Sequence, residues 1–188
     1  MAETLLRVEN LTMHYSTRAG EVSAVDNVSF SIEAGASLGL VGESGCGKTS
    51  VAATILKLLP ENAEIKSGHI YLNGSDLAAM SEDEMRKVRW RRISMVFQAA
   101  MNSLNPVYKV GDQIVEALET HLPQLTQEQM RKRVEDLFSM VGLDPKLVGQ
   151  YPHEYSGGMR QRAVIAMALA CHPDLIIADE PTTALDVI

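Results

Sequence analysis

Between the apolar run SLGLV (residues 37–41) and the helix-forming stretch VAATILKLL stands GESGCGKTS, residues 42–50. It matches G-x-x-x-x-G-K-[ST], and no other stretch restricts the fold of this chain as strongly. Gly42, Gly45 and Gly47 let the backbone curl, so that successive N–H groups, with those of Glu43, Ser44 and Cys46, point inward at phosphate oxygens. Lys48 places a mobile positive charge at the β- and γ-phosphates, and the Thr49 hydroxyl is a hard oxygen ligand for Mg²⁺. A plain glycine turn between strand and helix would need neither. The run SLGLV reads as a buried strand feeding the loop, and VAATILKLL as the helix that leaves it. Cys46 is read as a small residue that fits the loop.

A second stretch completes the chemistry. LIIADE (residues 175–180) reads as a buried strand that ends in two acids. Asp179 is placed to hold Mg²⁺ through water, and Glu180, pointing differently, to polarise an attacking water. The alternative is two acids ending a strand at the surface. A third stretch, YSGGMRQRAVIAMALA (residues 155–170), opens a helix on Ser156, Gly157 and Gly158. Glycines there leave bare N–H groups at the positive end of a helix, which attracts anions. Two phosphate-seeking loops in one chain require an explanation.

The remaining sequence is organised around these loops. The N-terminal part is rich in β-formers, and Asn73-Gly74 is a strong hairpin signal. From about residue 81 the patterns turn helical. Thr126 with Gln129 forms a capping box, Met130, Val134, Leu137, Phe138 and Val141 repeat at helical spacing, and Gly142 is placed to stop that helix. The expectation is an α/β P-loop core with an antiparallel β sub-domain and an inserted helical sub-domain at about 81–165, all within one nucleotide-binding domain over 1–188. The net charge of −7 argues against bulk attraction to nucleic acid. The basic run MRKVRWRR (residues 85–92) reads as a solvated face balanced by Glu82, Asp83 and Glu84. The alternative is a phosphate-binding patch with Trp90 stacking on bases. Cys46 and Cys171 lack paired or metal-like spacing, which suits a reducing setting. The longest apolar run is too short to span a membrane.

In order and separation, GESGCGKTS, Gln98, YSGGMRQR, LIIADEP and ALD resemble the ATP-binding subunit of ABC transporters. The resemblance covers essentially the whole chain. It implies that Ser156, Gly157 and Gly158 reach the γ-phosphate held by a second ATP-binding subunit, in a head-to-tail homo- or heterodimer with two ATP molecules in its interface. It further implies that Tyr15 stacks on adenine (a tyrosine closing an edge strand is the alternative) and that Ser50 reaches the α-phosphate. Gln98 would touch Mg²⁺ and the attacking water, and Asp186 would communicate with the opposite site. The implied partners are membrane permease subunits and, indirectly, a solute-binding protein, at the inner face of the cell membrane. MNSLNPV and YPHEYSGGMRQR look like the branch that imports oligopeptides, dipeptides or nickel.

Some positions depart from the pattern. Ala99-Ala100 follow Gln98 where many relatives carry an acid and a proline, and Met159 replaces a glutamine. The sequence stops at Ile188, before the strand that carries the family's γ-phosphate histidine. The expectation is a truncated subunit with little turnover of its own. The rival readings are a non-transport ATPase of the same superfamily and a nucleotide-binding module without turnover.

Overall fold

The structure, a computed structural model, describes residues 3–97 and 103–180. It divides into two units, Met1–Arg86 and Lys87–Ile188.

The first unit is built on an antiparallel sheet in the order β2-β1-β3-β4. Its strands are β1 (Thr4–Thr17), β2 (Gly20–Glu33), β3 (Ala63–Leu72) and the short β4 (Ser75–Asp76). The β3–β4 turn is the expected Asn-Gly hairpin, with φ of 46° at Asn73 and 80° at Gly74, as a primed turn demands. β1 is central and pairs along both edges. Its Leu6, Val8, Leu11 and Met13 are buried, with Ile70 and Leu72 of β3. Helix α1 (Lys48–Ile55) contacts β2 and buries Val51, Ala52 and Ile55.

One expectation fails here. The apolar pattern of residues 37–41 predicts a buried strand, but they form no ladder with any described residue. Leu38 and Leu40 are about half exposed, and Val41 is 94% exposed. An apolar run becomes a strand only when another strand takes up its N–H and C=O groups, and none of the described strands does so.

After α2 (Glu82–Val88), the second unit packs α3 (Val110–His121), α4 (Gln127–Met140) and α5 (Gly157–Leu169) around Ile114, Leu118, Val134, Phe138, Ala163 and Ala166. The Thr126–Gln129 capping box is formed in both directions, at 3.2 and 2.8 Å. Gly142 follows α4 with φ 74°. α5 ends before His172, and Arg133 of α4 covers its last carbonyls by donating to Ala170 O and Leu169 O. Two 3₁₀ turns, Pro145–Gly149 and Pro152–Glu154, lead into α5.

The stretch expected to be helical also contains a strand. β5 (Ile93–Val96) pairs in parallel with β6 (Leu175–Ala178). With four residues, ISMV is too short to show a period, so the sequence alone does not separate it from its helical surroundings. The sequence of β6 reads as a buried strand, yet Ile176 is 41% exposed. Parallel strands are buried when neighbours and helices cover both faces, and the described sheet contains only two strands.

Candidate functional site

In the first unit, the loop of residues 42–47 runs from the unpaired segment straight into α1. Gly47 is its N-cap, with φ 96°, and a Cβ there would stand 2.3 Å from the Ala24 carbonyl oxygen. Gly45 has φ 80°. Side chains are therefore excluded where the loop turns, by left-handed backbone at both positions and by contact with β2 at Gly47. The first turn of α1 carries no acidic residue to compete for its N–H groups. Lys48 Nζ folds back onto the loop, donating to Gly42 O at 2.8 Å and Glu43 O at 2.7 Å, with Cys46 Sγ at 3.7 Å. Tyr15, on β1, places its Oη 3.5 Å from Ser50 Oγ. The structure thus brings together Tyr15, Lys48 and Ser50 around one loop. A glycine cradle, a lysine ammonium and two hydroxyls (Thr49, Ser50) are a donor set that fits a nucleoside triphosphate with Mg²⁺.

In the second unit, Ser156 is the N-cap of α5, and its Oγ accepts from Met159 N at 3.3 Å. Among the described residues outside its own helical turn, nothing lies within 4 Å of a Cβ built on Gly158. Glycine in a helix costs roughly 0.5–1 kcal/mol relative to alanine, and no described neighbour requires it at this position. Its effect is to leave the helix start bare.

The approach to this helix start is anchored from below. Tyr155 is buried and donates its hydroxyl to Leu147 O at 2.7 Å. Burial, and then the adjacent Glu154, push its phenol up to about 12. Asp179 stands just beyond β6, tied to β5 by its N–H to Val96 O at 2.9 Å. Glu180 follows with φ 46°, so the chain turns sharply between the two acids. Gln98 and Asp186 lie outside the described residues.

Of the basic run, Arg86 pairs with the acids just before it, Glu82 and Asp83. Arg92 pairs with Asp174, and Trp90 stacks on His121 at 6.2 Å between ring centroids. Sequence reasoning missed an open groove beside that ring pair, lined by Trp90, Tyr108, Gln113, Glu116, Thr120 and His121. Trp90 and residues 108–121 meet there with Met167 of α5, so the groove joins three stretches of chain that no local pattern links. Desolvation in the groove lowers the pKa of His121. Among the described residues, no helix is long and apolar enough to cross a membrane, and no cluster of His, Cys, Asp and Glu is arranged to hold a metal ion.

Comparison with known proteins gives these loops their context. The oligopeptide transport ATP-binding protein OppD of Bacillus subtilis is 50% identical over 97% of this chain and 52% of its own length. The dipeptide transport ATP-binding protein DppD of the same organism is 49% identical over 98% and 56%. The chain therefore spans about half the length of these curated relatives. Among solved structures, the ATP-binding cassette MJ0796 in a dimeric post-hydrolysis state with ADP and Pi superposes with a TM-score of 0.85. It is 30% identical over 97% of this chain and 76% of that one. The pattern of the family described as ABC transporter matches residues 25–183. With that match, and with a P-loop, a bare Ser-Gly-Gly helix start and an acid pair in the family's order, this chain belongs to the ABC transporter family.

Proposed function

We propose that the chain is the nucleotide-binding part of an ATPase that powers import of a solute, with peptides as the class, through a membrane permease. The observation that carries this reading is the pairing of a glycine-cradled P-loop in one unit with a glycine-stripped helix start in the other. In a head-to-tail pair of subunits, the Gly45–Gly47 cradle and Lys48 hold the triphosphate, Ser50 meets the α-phosphate, and Tyr15 packs on the adenine. Ser156, Gly157 and Gly158 offer a hydroxyl and N–H groups to the γ-phosphate of the partner's nucleotide.

Thr49, Gln98 and Asp179 are the residues that would hold Mg²⁺, whose charge neutralises the phosphates. Glu180 orients and polarises the attacking water, and Asp186 links the two sites. Positioning and charge, rather than covalent chemistry, supply the acceleration.

The names of the peptide-transport relatives support the substrate class. The groove with Trp90 and Tyr108 at its edge, where Tyr108 is 58% exposed, is a surface on which a permease segment could seat. On this reading the protein works at the inner face of the membrane, with a solute-binding protein as an indirect partner.

The test is made in the assembled importer. Glu180→Gln should keep nucleotide binding, trap a closed MgATP-bound pair and abolish peptide uptake. Lys48→Ala should lose tight nucleotide binding altogether. Wild-type uptake with Glu180→Gln would refute the assignment.

A further inference from the structure

Just ahead of α5 the chain exposes an aromatic pair that no role above uses. The rings of Tyr151 and His153 stack with centroids 5.6 Å apart and planes 15° apart. Both residues are exposed, whereas Pro152 between them and Tyr155 after them are buried. The support is fixed at several points. Tyr151 N–H donates to Glu154 Oε2 at 2.6 Å, Gln150 O accepts from Val110 N at 2.9 Å, and the Tyr155 hydroxyl holds Leu147 O. The pair is therefore oriented by the fold without contributing to its core.

His153 precedes Ser156 by three residues, which limits their separation to ~11 Å of extended chain. A flat π face thus stands within a short reach of the helix start assigned to a γ-phosphate. We propose that Tyr151 and His153 form a platform for the nucleoside end of the nucleotide bound by the partner subunit. This rests on the head-to-tail reading above.

The chemistry selects a nucleoside. A ring face stacks on a purine, and an imidazole nitrogen can meet a ribose hydroxyl, whereas the two rings present neither a lysine or arginine charge nor a row of bare N–H groups for a phosphate. Tyr15 on the subunit that binds the nucleotide and this platform on the other would then grip the same nucleoside from two chains.

The experiment uses the assembled importer carrying Glu180→Gln, so that closure is not lost to hydrolysis. Tyr151→Ala and His153→Ala should each raise the MgATP concentration for half-maximal closure about fivefold, the lower end of the value of one base–aromatic stack. ATP affinity of the open subunit and the melting temperature should not change, and His153→Gln, which keeps a hydrogen-bonding group, should recover part of the loss. In a mixed pair, 8-azido-ATP should label the peptide containing Tyr151 and His153 on a subunit whose own P-loop is disabled by Lys48→Ala.

Closure at unchanged MgATP, or labelling confined to the subunit with the intact P-loop, overturns the platform while leaving the head-to-tail reading intact. A pair that never closes with MgATP, even with Tyr151 and His153 in place, overturns both.

Discussion

Gly158→Ala separates what the fold requires from what the function requires. A methyl group at this position meets nothing within 4 Å among the described residues outside its own helical turn, and the residue lies in the first turn of α5. Alanine is a better helix former than glycine by up to about 1 kcal/mol, with less of that difference realised so close to the helix start. One kcal/mol shifts the melting temperature of a 150–250-residue domain by roughly 2–4 °C. The variant of this 188-residue chain should therefore melt at the same temperature or about 1–3 °C higher. Function should move the other way. The methyl would occupy the space in front of N–H groups assigned to the partner's γ-phosphate, and loss of one such donor costs on the order of 10²–10³ in rate. Calorimetry on the chain and steady-state phosphate release by the assembled importer measure the two effects separately. A melting temperature lowered by several degrees would show that the space is needed by the fold. Unchanged turnover would show that the helix start faces no ligand.

Two further outcomes follow from burial. Cys46 is exposed, while Cys171 is buried with its thiol pKa raised by desolvation, so brief maleimide treatment should alkylate Cys46 first, and MgATP should protect it; peptide mapping that finds equal, nucleotide-independent labelling contradicts this. The Tyr155 phenol is raised from 10.0 to about 12, so from pH 10 to 12 the unfolded chain releases a proton that the folded chain retains, and stability falls as pH rises through this window. Alkaline unfolding should accordingly be shallower in Tyr155→Phe, which starts from lower stability near pH 7 because Leu147 O loses its donor.

Elements with local causes were legible in the sequence. The Asn73-Gly74 hairpin and the Thr126–Gln129 capping box each act within a few residues and take the expected geometry, and Gly45 and Gly47 of the phosphate loop have the left-handed backbone that a tight curl uses. Features that depend on distant partners were not. β5 exists because β6 pairs with it some eighty residues later, the groove beside Trp90 gathers three separate stretches, and SLGLV reads as a strand although no described strand pairs with it. Hydropathy reports what a segment would bury and not whether a neighbour is present to bury it. The contrast between β1 and residues 37–41 makes this measurable. Both are apolar runs of β-forming character, but β1 is paired along both edges, whereas the amides of 37–41 donate to no described backbone carbonyl. Amide exchange requires an opened hydrogen bond, so it separates the two directly. In this chain the amides of Leu38, Leu40 and Val41 should exchange close to the rate of an unstructured peptide, while those of Leu6, Val8 and Met13 should be protected by several orders of magnitude. Equal protection in the two runs would mean that residues 37–41 are paired after all, and that the sequence expectation of a strand leading into the phosphate loop was correct.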